Sequence, residues 1–270
     1  MTILQVLVLS VIQGLTEFLP VSSSAHLVLV PTLLGWPLAP VTLDVALHFG
    51  TLLALFVYFF RDIILLVKAL FYSLNRRRSF SEEERTYMRM VWWIILGTIP
   101  VVVVALLFKK NIEAAFASAI PSAIFLLVTG VYLALADIFA TPRKAIGELN
   151  SGSALVIGIS QAIALLPGIS RSGTTLSTGM FFGLKREDAA RFAFLLALPA
   201  LFGAFLLEIF TVPLGDLSGW LMLFGIVISF GVGILCIRFF LQFLKRNRLL
   251  WFSAYCWAFG LFALFKLVWG

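Results

Sequence analysis

Six apolar stretches, each close to the length of a membrane-crossing helix, leave this chain one class of fold. They cover residues 42–60, 90–108, 119–140, 192–211, 219–244 and 251–269. A hydrocarbon core of about 30 Å takes roughly 20 helical residues at 1.5 Å each. No water reaches that core, so every backbone N–H and C=O must be satisfied within the segment, which makes the stretches helices. The chain is 61% hydrophobic and 12% charged, and its mean hydropathy of +1.07 lies outside the soluble range. The expected fold is an all-α polytopic membrane protein.

Two further regions, 2–38 and 153–184, are apolar but broken near the middle by Pro20 and Pro167, each set in a polar run. The legs before the breaks are too short to cross. Each region therefore reads as a helix-turn-helix hairpin that dips into the bilayer and returns to the same side. No Lys or Arg precedes Arg61, so the first apolar run is expected to be retained rather than cleaved as a signal peptide.

Positive charge sets the sidedness, because cytoplasmic loops concentrate Lys and Arg. Arg61, Lys68, Arg76, Arg77, Arg78, Arg85 and Arg89 mark the first long connection as cytoplasmic. With both hairpins re-entrant, Arg143 and Lys144, then Lys185, Arg186 and Arg191, then Arg238, Lys245, Arg246 and Arg248 also fall inside. Lys109 and Lys110 fall outside. The net charge of +7 is thus spread over loops between apolar segments, and nucleic acid is not an expected partner. Cys236 and Cys256 lie in apolar stretches without metal-ligand spacing, so neither a disulfide framework nor a zinc site is indicated.

This topology places one hairpin and three crossings in residues 1–140, and another hairpin and three crossings in 141–270. Three is odd, so the halves are inverted relative to each other within one membrane domain, with both termini on the outer side. The hairpins agree in wording: Gln13 and Ser22 are nine apart, as are Gln161 and Ser170, with a Leu-Pro pair between them in both. Two hairpin tips, one from each face, are expected to meet near the midplane.

The polar groups at those tips are the candidate site, since ionisable groups at membrane depth are costly. Gln13 and Glu17 share a helix face at i, i+4. Gln13 suits a helix-helix hydrogen bond equally well, whereas Glu17 requires a cation, a proton or a water-filled cavity. Pro20 followed by Ser22, Ser23 and Ser24 is a helix start, and a cap explains one serine. His26 follows at i+4 from Ser22 and i+3 from Ser23, a spacing that suits a nucleophile with a base or acid. In the second run, Ser170, Ser172, Thr174 and Thr175 surround Arg171, between Gly168 and Gly173. Free N–H groups at a helix start and a guanidinium both bind phosphate oxygens. Arg171 would equally neutralise Glu17. His48 reads as structural, Glu82, Glu83 and Glu84 as a solvated loop, and Asp44, Asp137 and Glu208 as snorkelling or paired residues near the ends of crossings. Neither run contains G-x-x-x-x-G-K-[ST], so nucleotide use is not supported.

The two runs resemble the signature motifs of the undecaprenyl-pyrophosphate phosphatase family, bacterial membrane enzymes linked to bacitracin resistance. Gln13, Glu17, Ser22, Ser23 and His26 match its [E/Q]-x-x-x-E motif and the L-P-V-S-S-x-x-H that follows. Pro167, Gly168, Ser170, Arg171, Ser172, Gly173 and Thr175 match P-G-x-S-R-S-G-x-T. The similarity includes the spacing of about 150 residues between the motifs and the stretch from Phe192 to Pro199. Many members carry Glu at the position of Gln13, which places a two-carboxylate metal site in doubt.

The resemblance implies hydrolysis of undecaprenyl pyrophosphate to the monophosphate, dependent on a divalent cation, Mg²⁺ or Ca²⁺, at the outer face of the bacterial cytoplasmic membrane. The expected partners are the polyprenyl lipid substrate and the bilayer, and a homodimer is left open. On this expectation Ser23 is the nucleophile, with His26 as proton carrier or as the rival nucleophile. Glu17 holds the metal, with Gln13 orienting a metal-bound water. Arg171, Ser170 and Thr175 hold phosphoryl oxygens, with Ser22, Ser24, Ser172, Gly173 and Thr174 completing the substrate site. Inverted repeats with broken helices are also transporter architecture, so a polyprenyl-phosphate flippase is the alternative, alone or alongside hydrolysis. A purely structural scaffold leaves both polar runs without a purpose.

Overall fold

The computed structural model describes residues 1–73, 80–115, 118–211 and 218–269. Arg76, Arg77 and Arg78, assigned above to a cytoplasmic connection, lie outside the described residues. The regular structure within them is helical: α1 (Ile3–Thr16), α2 (Ser23–Leu33), α3 (Val41–Tyr58), α4 (Phe60–Ser73), α5 (Glu82–Leu107), α6 (Lys109–Ala115), α7 (Ala119–Phe139), α8 (Ser151–Ile163), α9 (Arg171–Phe181), α10 (Arg186–Thr211), α11 (Gly219–Leu244) and α12 (Leu250–Trp269). Six of them, α3, α5, α7, α10, α11 and α12, are long and apolar enough to cross a membrane. They correspond to the six stretches read from sequence.

Two of these helices begin well before their apolar stretch, and local chemistry explains both. Glu82, Glu83 and Glu84 are not a loop but the first turn of α5. The Ser81 hydroxyl accepts from the Glu84 N–H at 3.2 Å, and the Glu84 carboxylate accepts from the Ser81 N–H at 2.9 Å. This capping box leaves three acids at the positive end of the helix dipole. Helix α10 likewise opens with Glu187 and Asp188 in its first turn. The first long connection also contains α4, which buries Leu66 and Ala69 and packs on α5.

The broken regions form two short helix pairs. Helices α1, α2, α8 and α9 hold 14, 11, 13 and 11 residues, or about 21, 17, 20 and 17 Å of rise. Helix α1 packs on α11, and α8 packs on α5. The second contact is very close: a Cβ on Gly158 would lie 2.3 Å from the Gly97 carbonyl oxygen. Only glycine permits such backbone approach, which is how helices associate where lipid removes the hydrophobic drive. Helix α3 lies along α11, and α7 along α12.

Two ionic clusters, one around a buried and one around a half-buried carboxylate, tie the start of α10 to its neighbours. The Asp137 side chain is wholly inaccessible and does not snorkel. It accepts from Arg186 at 2.9 Å, from Arg248 at 2.7 Å and from the Leu249 N–H at 3.1 Å. Asp62 accepts from Arg191 and, at 3.0 Å, from the Tyr87 hydroxyl. A buried carboxylate is tolerated only when its lone pairs are satisfied in this way.

Candidate active site

Helix α1 ends one residue before Glu17, and the chain reverses through residues 18–22 into α2. Ser22 takes φ +65°, and it is the one non-glycine residue with positive φ among those described. Such a conformation costs about 1–3 kcal/mol and persists only where its surroundings over-determine it. Here they do: the Ser22 hydroxyl accepts from the Ala25 N–H at 3.3 Å as the N-cap of α2. Its carbonyl accepts from the His26 backbone N–H at 3.3 Å and from His26 Nδ1 at 2.8 Å.

The second pair is built alike. Gly168 has φ +100°, and a Cβ there would lie 2.3 Å from the Ser122 carbonyl oxygen, so the turn after α8 requires glycine. Ser170 caps α9, accepting from the Gly173 N–H at 3.1 Å. The two turns dock on each other. Gly168 N–H donates to Ser24 Oγ at 3.2 Å, and Ser172 Oγ donates to the Leu19 carbonyl at 3.0 Å. Thr129 of α7 braces the second turn, donating to the Gly168 carbonyl at 3.0 Å and accepting from the Ser170 N–H at 3.1 Å.

Glu17 is the point where the two turns meet. One carboxylate oxygen accepts from the Arg171 guanidinium. The other accepts from Ser23 Oγ at 2.6 Å and from Gln13 Nε2 at 3.1 Å, with His48 Nε2 at 3.8 Å. Gln13 Nε2 also reaches Thr51 Oγ1 at 3.3 Å. The Glu17 side chain is only 4% exposed while that of Arg171 is 19% exposed. Ser23 is also partly exposed, whereas Ser22, Ser170, Ser172, Thr174 and Thr175 are buried. Of the predicted residues the structure thus gathers Gln13, Glu17, Ser23 and Arg171 around one carboxylate.

The remaining predicted residues build the frame. Ser22, Ser24, Ser170 and Ser172 cap helices or join the turns. Thr174 and Thr175 turn their hydroxyls to backbone carbonyls within α9, Thr175 to that of Arg171 at 2.7 Å. A Cβ on Gly173 would sit 3.3 Å from the Pro20 Cβ, so this glycine sets how closely the turns approach. His26 departs from expectation. Among the described residues its ring shares no hydrogen bond with Ser23, because Nδ1 faces the Ser22 carbonyl and Nε2 lies 2.7 Å from the Tyr255 hydroxyl.

Four residues of this site went unrecognised in the sequence. His48, read as structural, lies beside Glu17. Thr51, Thr129 and Tyr255 are single polar groups inside crossings, and no local pattern distinguishes them from helix-packing residues. For a divalent cation the donor set is sparse: among the described residues no group of three or more His, Cys, Asp or Glu could hold one. Gln13 Oε1, however, is buried without a hydrogen-bond partner among the described residues, while Nε2 of the same amide donates to Glu17. A carboxylate and an amide oxygen are ligand types that Mg²⁺ accepts, with water and phosphate oxygens filling the rest of its shell.

Comparison with known proteins identifies the family. The family model described as bacitracin resistance protein BacA matches residues 6–262. An undecaprenyl-diphosphatase of Moorella thermoacetica is 41% identical over 255 residues, covering 94% of each chain. One of Pelotomaculum thermopropionicum is 41% identical over 270 residues, covering 100% of this chain and 95% of its own. Another, of Methanobrevibacter smithii, is 38% identical over 267 residues, covering 97% and 96%. The matched span contains both turns and every residue around Glu17, and the chain belongs to the bacitracin resistance protein BacA family.

Proposed function

We propose that this protein hydrolyses undecaprenyl pyrophosphate to undecaprenyl phosphate and inorganic phosphate, returning the lipid carrier to cell-wall synthesis. One observation carries the reading: a single buried carboxylate holds a serine hydroxyl on one oxygen and a guanidinium on the other. An anion-binding module needs the guanidinium alone. A hydroxyl held 2.6 Å from a carboxylate is a nucleophile beside its base.

In this reading Glu17, rather than His26, takes the Ser23 proton as Ser23 Oγ attacks the terminal phosphorus. The bond from that phosphorus to the bridging oxygen breaks, Glu17 passes its proton to that oxygen, undecaprenyl phosphate leaves, and phosphate stays on Ser23. Water then attacks this phosphorus, giving a proton to Glu17, and the Ser23–phosphorus bond breaks as Ser23 Oγ takes that proton, which restores the hydroxyl and the carboxylate. Arg171 opens from Glu17 to hold the non-bridging oxygens, and the first turn of α9 adds its positive dipole end. Glu17 and Gln13 Oε1 would hold the Mg²⁺ or Ca²⁺, which when bound offsets phosphate charge. Ser22, Ser24, Ser170, Ser172, Thr174 and Thr175 shape the two turns around the headgroup.

We further read the two helix pairs as re-entrant hairpins in a bacterial cytoplasmic membrane, with the site open to the outer face. Their rise of about 17–21 Å, against a core of about 30 Å, supports this. The inverted repeat, residues 1–140 against 141–270, draws support from the exchange in packing. The first helix of each pair lies on the second crossing of the opposite half, α1 on α11 and α8 on α5. The site at the meeting of the turns lets a polyprenyl tail stay in lipid while its headgroup enters.

The test is phosphate release by the purified protein in detergent, given undecaprenyl or farnesyl pyrophosphate with Mg²⁺ or Ca²⁺. Release that Ser23→Ala abolishes supports the assignment, and a wild-type protein that binds the lipid without releasing phosphate points to transport instead.

A further inference from the structure

The His26 imidazole is held by groups outside the Glu17 cluster, among them Tyr255 of α12. The Ser22 carbonyl, 2.8 Å from Nδ1, can only accept, so Nδ1 carries the proton. In the neutral ring Nε2 is then an acceptor, and the group 2.7 Å from it is the Tyr255 hydroxyl. Stacking fixes the ring plane: its centroid lies 4.8 Å from that of Phe259 at 19°, and 5.7 Å from that of Tyr255 at 5°. Ring orientation, tautomer and the hydrogen bond to the strained Ser22 peptide are thereby determined together.

We propose that Tyr255 is a positioning residue for Ser23. It acts through His26: the phenol donates to Nε2, the imidazole donates from Nδ1 to the Ser22 carbonyl, and the Ser22–Ser23 peptide is held so that Ser23 Oγ faces Glu17. The chain of contacts runs from α12 to the first turn of α2, two elements joined by few other contacts. Ser22 has positive φ without being glycine, so its peptide is the part of this turn most in need of an external hold. A second hold on the same turn is weak: Cys256 Sγ approaches the Pro20 carbonyl at 3.8 Å. The inference rests on the phosphatase reading for its kinetic consequence, while the hydrogen bond itself does not.

Tyr255→Phe removes the donor and keeps the stacked ring. The expected result is a fall in kcat of about 10-fold, with KM within about twofold and the melting temperature little changed. Combined with His26→Ala, it should add nothing to the loss caused by His26→Ala alone, the signature of two groups acting as a unit. The chain has two histidines, so protein labelled with ¹⁵N-histidine gives two sets of ring signals, and His48→Gln assigns them. His26 should show the Nδ1–H tautomer, with an Nε2 resonance that Tyr255→Phe shifts. Wild-type kcat in Tyr255→Phe, a loss that follows melting temperature and adds to that of His26→Ala, or an Nε2–H tautomer would each overturn the proposal. A wild-type protein that releases no phosphate yet shows the shifted Nε2 resonance would keep the hydrogen-bonded hold and reject the phosphatase reading.

Discussion

Ser23 donates its hydroxyl to Glu17 across 2.6 Å, although the two residues sit on opposite sides of a helix break. The proline turn between them brings a C-terminal residue of one helix against the first residue of the next. In the proposed mechanism that contact makes Glu17 the base. Glu17→Gln keeps the shape and an acceptor for Ser23 but removes the basic carboxylate, so kcat should fall by roughly 10²–10⁴, the usual worth of a positioned base. Steady-state phosphate release decides it, and a variant within threefold of wild type would remove Glu17 from the role.

Arg171 is both the partner of a buried carboxylate and the proposed phosphate ligand, and its substitutions separate the two duties. Arg171→Ala leaves Glu17 unpaired, which costs about 3–5 kcal/mol when one member of a buried pair is removed, so its melting temperature should drop along with activity. Arg171→Lys keeps a charge but loses the fork that grips two oxygens. It should recover most of the stability while kcat/KM stays at least about 10-fold down. Full activity in the lysine variant would show that charge alone suffices.

Thr129 predicts an effect of a different kind, because it never approaches Glu17. Its hydroxyl bridges the Gly168 carbonyl and the Ser170 N–H, and Thr129→Val leaves both without that partner inside an apolar shell. The expected cost is about 1–3 kcal/mol for each group left unsatisfied. Thermal unfolding in detergent should show it, with activity falling in step. A loss of turnover without loss of stability would contradict a purely bracing role.

The contrast between Thr129 and Arg171 explains what could be read from the chain. Segment length and apolar composition placed the six candidate crossings, because lipid forces helices to about 20 residues. The ends of α5 and α10 were missed, since acidic first turns belong to the helix yet look like loop. Glu17 and Arg171 stood out because charge at membrane depth is rare. Thr129, Thr51 and Tyr255 did not, because a lone hydroxyl in a crossing is chemically ordinary until its partner is known. His26 is expected from spacing to face Ser23, but its direction was not legible. The i+3 and i+4 spacings that allow it to face Ser23 and Ser22 also allow it to bond the Ser22 carbonyl and face α12.

Gln13 offers the sharpest test of the cation. Its Nε2 donates to Glu17 at 3.1 Å and to Thr51 at 3.3 Å, while Oε1 has no partner among the described residues. Gln13→Glu replaces that donor with a second carboxylate one helical turn from Glu17. Without metal the two like charges repel in a buried site, and one of them must take up a proton. The melting temperature in EDTA should therefore fall below that of the wild type. Millimolar Mg²⁺ supplies the missing positive charge and binds the folded state, so it should raise the variant's melting temperature by several degrees more than the wild type's. Equal metal-induced shifts in the two proteins would remove position 13 from the cation's shell.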